Sequence, residues 1–449
     1  MINCAFYHRG RGASQATARS CAEDAPLRRR SLAPRAPFGI GCLAMKDTTR
    51  STRTFHLKSL DYATALSFVV YASSATVTPI SLVLLSRELA FSLVGGGVVE
   101  VMRTTLLVIA LAGSGWAAAH WGKALSLGVS AIVLGAGLLA YAAAPTYGVV
   151  LLAIALVGFG GGVIEALLNP LVQDLHPDDS GRYLNFLNAF FSFGVMITVL
   201  GGGEFLTRGG SWRYIMISLA VLCFLSGVLF LALKGTLSDS RDRSATARAR
   251  QVLSHKIAVL RHPRFWVFFS MMFLGAGAEG GLNFWSASYI QLHFGELPRI
   301  GGIGTGLFAL GMIVGRLGSG WLVPQRRLWH LIQFSALTGV VVGLGLPAAG
   351  SVTVLLGVLF LSGLTIACFW PSIQSYAVDR TPLDSTALFI LLSIGGIPGL
   401  GFASWLMGMI GERAGLQASL YVIPAFLALL SILAAMERLR PPPDAGPER

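Results

Sequence analysis

Residues 328–378 read LWHLIQFSALTGVVVGLGLPAAGSVTVLLGVLFLSGLTIACFWPSIQSYAV and contain no Asp, Glu, Lys or Arg. A helix that crosses a lipid bilayer needs about 20 apolar residues, so this run is long enough for two crossings. Residues 346–351 (LPAAGS) supply the turn between them, because proline and glycine interrupt helices. The run therefore predicts two antiparallel membrane helices.

Similar charge-free runs cover most of the chain from residue 60 onward. The composition agrees, since 54% of the residues are hydrophobic and 12% are charged, about half of the roughly 25% that is usual in soluble proteins. We predict an all-α membrane protein with twelve transmembrane helices, at 60–86, 90–119, 124–143, 148–174, 183–205, 213–233, 264–291, 300–323, 328–346, 351–377, 385–410 and 414–436.

The charges between the helices predict the orientation. The formal net charge is +13, and 11 of the 34 Lys and Arg precede residue 61. Loops after even-numbered helices hold 13 Lys and Arg, and loops on the other side hold five. The positive-inside rule then places both termini in the cytoplasm, in a multi-pass protein of the plasma or inner membrane. No basic stripe with interleaved aromatics occurs, so nucleic acid is not expected as a partner.

The longest polar gap separates six helices from six others, and the two sets share short motifs. GSGW at 113–116 recurs at 318–321, PLVQ at 170–173 recurs as PSIQ at 371–374, and SFG at 192–194 recurs as SIG at 393–395. Offsets of 205, 201 and 201 residues indicate a duplicated six-helix unit. We expect a basic, disordered leader at 1–59, a first half at 60–234, a cytoplasmic linker at 235–263, a second half at 264–436 and a cytoplasmic tail at 437–449.

This arrangement resembles the major facilitator superfamily. Residues 115–123 (GWAAAHWGK) resemble the family's signature after helix 2, with Ala119 where the family usually has an aspartate. Residues 160–170 (GGGVIEALLNP) and 188–194 (NAFFSFG) are similar to helices 4 and 5 of the fucose permease group. The resemblance implies the major facilitator fold, with two pseudo-symmetric halves, and secondary active transport by alternating access.

Members of the fucose permease group co-transport sugars with protons, using a glutamate on helix 4 and an aspartate on helix 1. Glu165 matches the glutamate, whereas the apolar part of helix 1 offers Tyr71 and hydroxyl residues but no acid. The resemblance therefore implies a proton-coupled symporter of a small solute, such as a sugar or another polar metabolite. Two alternatives stay open, namely efflux of amphipathic compounds and a non-transporting receptor or scaffold on the same fold.

Five ionisable residues lie well inside predicted helices, away from the helix ends, where a charge costs about 2.5 to 3.5 kcal/mol on insertion scales. We predict that Glu165 couples transport to protons and that Glu279 assists; the alternative for Glu165 is a neutral acid bonded between helices. Glu100 and Arg103 are three residues apart and predict a structural charge pair, with a substrate-binding arginine as the alternative. Arg316 lies near the end of helix 8, from which it can snorkel.

Polar and aromatic side chains in the central helices are the candidates for binding a small-molecule substrate, because stacking and hydrogen bonding together suit a polar solute. An aromatic belt at the membrane surface is the alternative for the aromatic residues of helix 7. The predicted substrate-binding residues are Tyr71, Asn169, Asn188, Asn283, Trp285, Tyr289, Trp370 and Gln374.

Enzymatic and nucleotide-driven functions are not expected. Residues 275–280 (GAGAEG) match G-x-G-x-x-G, but they follow no strand, so helix packing explains them. No Walker or H-E-x-x-H motif occurs, and the five Cys and eight His have no metal-ligand spacing. We expect a monomer in the lipid bilayer, with no cofactor and no metal.

Overall fold

The computed structural model describes residues 56–176, 180–233, 259–381 and 385–440, and every regular element within them is helical. Most of the predicted leader and linker and the end of the tail lie outside these residues. The main helices are α1 (Ser59–Leu89), α2 (Leu93–Trp121), α3 (Lys123–Ala142), α4 (Tyr147–Leu175), α5 (Ser180–Thr207), α6 (Trp212–Leu233), α7 (Pro263–His293), α8 (Pro298–Leu322), α9 (Leu328–Ala348), α10a (Val352–Ile366), α10b (Phe369–Arg380), α11 (Ser385–Ala414), α12a (Leu416–Ser419) and α12b (Val422–Leu439).

Twelve segments of the described chain are long and apolar enough to cross a membrane, when α10a with α10b and α12a with α12b each count as one. Helices suit this setting because every backbone polar group in lipid must be satisfied within the segment. The prediction of an all-α membrane protein with twelve spans is confirmed, and predicted and observed ends differ by at most four residues.

Two predicted helices are interrupted, which corrects the ranges 351–377 and 414–436. The tenth span turns at Ala367 and the twelfth at Leu420, each four residues before a proline (Pro371 and Pro424). Proline has no N–H for the carbonyl four residues earlier, and its ring clashes with that carbonyl. The break in the tenth span leaves the Ala367 carbonyl without its helical partner.

Each set of six helices has its own core. One large cluster of buried apolar residues lies almost wholly in α1–α6, and a second lies almost wholly in α7–α12. In the first half α2 and α3 pack on α4 and α1 packs on α5, whereas in the second half α7 packs on α11 and α8 packs on α10a. The structure thus has two six-helix units, as the repeated motifs predict.

The contact between α2 and α4 depends on two glycines. A Cβ atom on Gly158 would lie 2.2 Å from the carbonyl oxygen of Arg103, and a Cβ on Gly162 would lie 2.2 Å from that of Leu107. Membrane helices approach this closely only where small residues face the neighbour. These glycines bring α4 against the turn of α2 that carries Arg103.

The two halves contact each other from one end of the helices to about their middle, where α2 packs on α11 and α5 packs on α8. We call the side on which α1 begins the near side and the side on which α1 ends the far side. At the far side, the backbone N–H of Val94 in α2 donates to Glu412 in α11 (3.1 Å), and Arg299 in α8 lies 3.8 Å from Glu204 in α5. Both contacts join the first half to the second and close the far side.

Ion pairs at the near side stay within one half. His176 at the end of α4 lies 2.9 Å from Asp61 at the start of α1, and Arg264 at the start of α7 lies 3.5 Å from Glu437 at the end of α12b. Between residues whose side chains the structure describes, hydrogen bonds and ion pairs that join the halves are confined to the far side. The halves are therefore joined at the far side and separate toward the near side.

Candidate functional site

Glu165 is an exposed carboxylic acid deep inside a membrane-spanning helix. It lies ten residues before the near-side end of α4, which is about 15 Å at 1.5 Å per residue. Its side chain is exposed, and it interacts electrostatically with the Tyr71 hydroxyl of α1 and the Arg103 guanidinium of α2. Glu165 is therefore an accessible acid close to α1 and α2 of its own half.

Arg103 belongs to the same cluster. Its Nε donates to Glu100 (2.8 Å) and its Nη2 donates to the second carboxylate oxygen (2.5 Å), and both side chains are at most 10% exposed. The guanidinium also interacts electrostatically with Tyr71 and Glu165. The predicted structural pair therefore interacts electrostatically with the predicted proton-coupling residue.

A pair of amides lies one helical turn from Glu165 toward the near side. Asn188 of α5 donates to the side-chain oxygen of Asn169 of α4, at 2.9 Å. Asn188 is exposed and Asn169 is half-buried. The structure therefore places four of the predicted residues, Tyr71, Asn169, Asn188 and Glu165, on three neighbouring helices of the first half.

In the second half, Glu279 has a partner that sequence analysis did not assign to it. Arg316 Nη2 donates to Glu279 Oε1 (3.3 Å), and Arg316 Nε donates to the Ala367 carbonyl at the break in the tenth span (3.4 Å). The sequence alone predicts that Arg316 snorkels toward the membrane surface. The proline at position 371 was the available signal, because it frees the carbonyl that Arg316 uses.

Trp370 and Gln374 lie on α10b, immediately after that break. The Trp370 ring packs against Gly396 of α11, where an added Cβ would lie 2.6 Å from it. Gln374 donates to the Ser393 hydroxyl at 2.9 Å. The predicted residues of the tenth span are thus held against α11 inside the second half.

Trp285 and Tyr289 lie apart from these clusters. Trp285 is 0% exposed, and its Nε1 donates to the Ser404 carbonyl (2.9 Å). Tyr289 is buried and stacks on His293 near the far-side end of α7, whereas Asn283 is half-buried. In this conformation the two aromatic residues lie in the closed far-side region, and their substrate-binding role stays a prediction.

An apolar cavity of about 410 Å³ lies between α2 and α11. None of the predicted proton-coupling or substrate-binding residues lines it, and it contains no charged side chain. The apolar lining of this cavity therefore gives no indication that a polar solute binds there. Its lining residues are Val98, Val101, Thr104, Thr105, Val108, Ile109, Pro398, Phe402 and Trp405.

The described residues also contain no group of three or more His, Cys, Asp or Glu that could hold a metal ion. Cys223 and Cys368 are buried and unpaired with each other. The predicted site residues described above carry carboxylate, guanidinium, amide and phenol groups.

Comparison with known proteins assigns the family. The model of the Major Facilitator Superfamily matches residues 63–385. The chain belongs to the major facilitator superfamily. This transporter is 22% identical over 323 residues to the L-fucose-proton symporter of Escherichia coli (strain K12), covering 64% of this chain and 72% of that one. The resemblance to the fucose permease group is confirmed at this level of identity.

Solved structures show the same fold. The nucleoside transporter NupG superposes with a TM-score of 0.70 at 14% identity, covering 85% of this transporter and 99% of that chain. A bacterial homologue of the human lysosomal transporter Spinster, in an inward-facing and occupied conformation, gives a TM-score of 0.68 at 13% identity, covering 84% and 96%. Identities this low show the fold alone.

Proposed function

We propose that this major facilitator transporter is a proton-coupled symporter of a small polar solute that works by alternating access. Glu165 takes up and releases the proton. The solute binds between the halves and contacts Tyr71, Asn169 and Asn188 of the first half. The L-fucose-proton symporter, a relative with proton-coupled sugar transport in its name, supports this class of function.

The observation that carries the proposal is the setting of Glu165. A carboxylate at this depth costs several kcal/mol unless it has partners or access to water. Glu165 has both, because it is exposed and faces Tyr71 and Arg103. A carboxylate such as Glu165, near mid-membrane and open to water on one side, can exchange a proton with that side only. Coupling requires this one-sided exchange.

The closed far side supports alternating access. Contacts between the halves hold that side shut while polar side chains near Glu165 remain exposed. We further propose that the near side is cytoplasmic, as the loop charges predict, so that this conformation faces the cytoplasm. The halves at 60–234 and 264–436 then rock as units joined by the linker at 235–263. The comparisons favour neither efflux nor a receptor role.

The test uses purified protein in proteoliposomes. A thermal-shift screen of sugars, polyols and organic acids first finds a ligand, since a ligand at 100 times its dissociation constant stabilises by about 2.7 kcal/mol. With that solute, an inward proton gradient should drive accumulation in the parent protein. Glu165→Gln, which mimics the neutral acid, should keep binding and counterflow while losing gradient-driven accumulation.

Glu296→Gln is the matched control, because Glu296 lies between α7 and α8 outside the spans. It should accumulate solute as the parent does. Gradient-driven accumulation by Glu165→Gln at the parental level would make Glu165 a packing residue and would contradict the proposal.

A further inference from the structure

Arg316 is a cation whose hydrogen-bonding capacity is mostly unused. It makes two long contacts, 3.3 Å to Glu279 and 3.4 Å to the Ala367 carbonyl, and its side chain is 48% exposed. Arg103, by comparison, makes bonds of 2.8 and 2.5 Å to Glu100 and is 10% exposed. A guanidinium carries five N–H donors in a rigid fork, and each of these two arginines uses two of them. Only Arg316 holds the remaining donors on an exposed side chain.

The helical register shows where these donors lie. Gly302 and Gly306 face α5 of the other half: added Cβ atoms there would lie 2.1 Å from the Val199 carbonyl oxygen and 3.4 Å from Leu200. Arg316 lies fourteen residues after Gly302, which is close to four helical turns, so it continues the face that α8 presents to the first half. At this level no hydrogen bond or ion pair between described side chains joins the halves, and the Arg316 side chain is 48% exposed.

A neighbouring face of α8, about 60 to 80° around the helix from Gly302 and on the other side of it from Arg316, has a different composition. Leu310 is 40% exposed and Leu317 is 57% exposed, as expected of residues that face lipid tails. Because 3.6 residues make a turn, Arg316 lies about 100° from Leu317, toward α7 and Glu279. Its exposure is therefore to the interior of the transporter rather than to the lipid.

The break in the tenth span provides an acceptor that orients the Arg316 guanidinium. Pro371 deprives the Ala367 carbonyl of its helical partner, and Arg316 Nε occupies that carbonyl. Glu279 accepts a hydrogen bond from one terminal nitrogen of Arg316, Nη2. The two acceptors are the Glu279 carboxylate on α7 and the Ala367 carbonyl immediately after α10a. They orient the arginine and leave further N–H groups for a ligand. A planar guanidinium binds a carboxylate bidentately, with more directional contacts than a lysine gives.

We propose that Arg316 is a binding residue for the carboxylate of a small hydroxylated organic acid, such as a sugar acid. The acid group binds in the second half, and its hydroxyl groups reach the amide pair Asn169–Asn188 in the first. This assignment rests on the proposed transport function and names the substrate class for it.

The test measures binding to the purified full-length protein in detergent, with three pairs of probes: D-glucuronate and D-glucose, D-galacturonate and D-galactose, and D-gluconate and D-glucitol. At least one acid should bind at least tenfold more tightly than its neutral partner, a difference of about 1.4 kcal/mol. Arg316→Gln should abolish that preference and leave the affinity for the neutral partner unchanged. Arg326→Gln, which removes an exposed cation after α8, should retain the preference.

Three outcomes would overturn the assignment: no acid preferred over its partner, a preference that survives in Arg316→Gln, or a preference lost equally in Arg326→Gln. If Arg316→Gln does not fold, Arg316→Lys takes its place, since it keeps the charge but loses the bidentate fork and should lower the acid affinity. Binding requires no proton gradient. Acid binding through Arg316 without gradient-driven accumulation would contradict the proposed function alone, whereas accumulation of neutral solutes without acid preference would contradict this assignment alone.

Discussion

Arg103 donates hydrogen bonds of 2.8 and 2.5 Å to the two carboxylate oxygens of Glu100, one helical turn away in α2. The same guanidinium also interacts electrostatically with Glu165 of α4. Close packing at Gly158 holds the backbone of this turn against α4. The arrangement joins a buried ion pair to the residue that we propose carries the proton.

The first prediction separates the two roles of Arg103. Glu100→Gln or Arg103→Gln alone should reduce folded protein in the membrane, because breaking a buried pair costs about 3 to 5 kcal/mol. The double replacement Glu100→Leu with Arg103→Met should restore expression, measured by fluorescence size-exclusion chromatography. If the double variant folds and still loses ligand binding in a thermal-shift assay, Arg103 contacts the solute or tunes Glu165, and a purely structural role is wrong.

The second prediction concerns the glycine contact between α2 and α4. Gly158→Ala should destabilise the purified protein by about 1 to 3 kcal/mol, because the new methyl group overlaps the Arg103 carbonyl and one helix must shift. Gly148→Ala is the matched control in the same helix, since its Cβ would meet nothing within 4 Å. Thermal unfolding in detergent compares the two. Equal melting temperatures would show that α2 and α4 separate at little cost.

The third prediction concerns the far-side closure. A Cβ on Gly97 would lie 2.6 Å from the Cα of Trp405 in α11, so Gly97→Val should prevent the halves from closing there. A cysteine at position 82, in a cysteine-free background, reports this, because Leu82 is 3% exposed. Maleimide should label it slowly in the parent and several-fold faster with Gly97→Val.

The control for that experiment is Gly113→Val, because nothing lies within 4 Å of a Cβ at Gly113 in the same helix. It should leave the cysteine protected. Unchanged protection in Gly97→Val would mean that the α2–α11 contact adapts without opening the far side.

The fourth prediction concerns orientation. A cysteine at Ser244, which lies in the linker outside the described residues, should resist an impermeant thiol reagent in intact cells. A cysteine at Leu297, between α7 and α8, should react readily because it is exposed on the far side. The reverse pattern, in cells with intact membranes, would place the termini outside.

Much of the fold follows from local composition. The charge-free run at 328–378 predicts two spans, and α9 and the tenth span lie there. The sequence does not predict the break at Ala367, because prolines also lie inside helices that stay continuous, namely α1, α4, α9 and α11. A proline by itself therefore does not decide whether a membrane helix breaks, since neighbouring groups can satisfy the freed carbonyl.

The contacts within the candidate site can also be predicted only in part from the sequence. Sequence spacing alone pairs Glu100 with Arg103, because both lie on one helix and three residues separate them. It does not pair Glu279 with Arg316 or Tyr71 with Glu165, because each pair joins different helices whose relative rotation and height depend on packing. It also does not show that Trp285 lies in the closed far-side contact, where its Nε1 meets the Ser404 carbonyl.

The sequence by itself determined the twelve spans, the duplicated halves and the five ionisable residues far from the span ends, because the cost of exposing polar groups to lipid acts on each segment separately. Only the tertiary structure decided which of these charges meet, that Arg316 rests on the freed Ala367 carbonyl, and that the halves are shut at the far side. Those features depend on close contacts between helices distant in the chain, where single glycines and a proline set the approach.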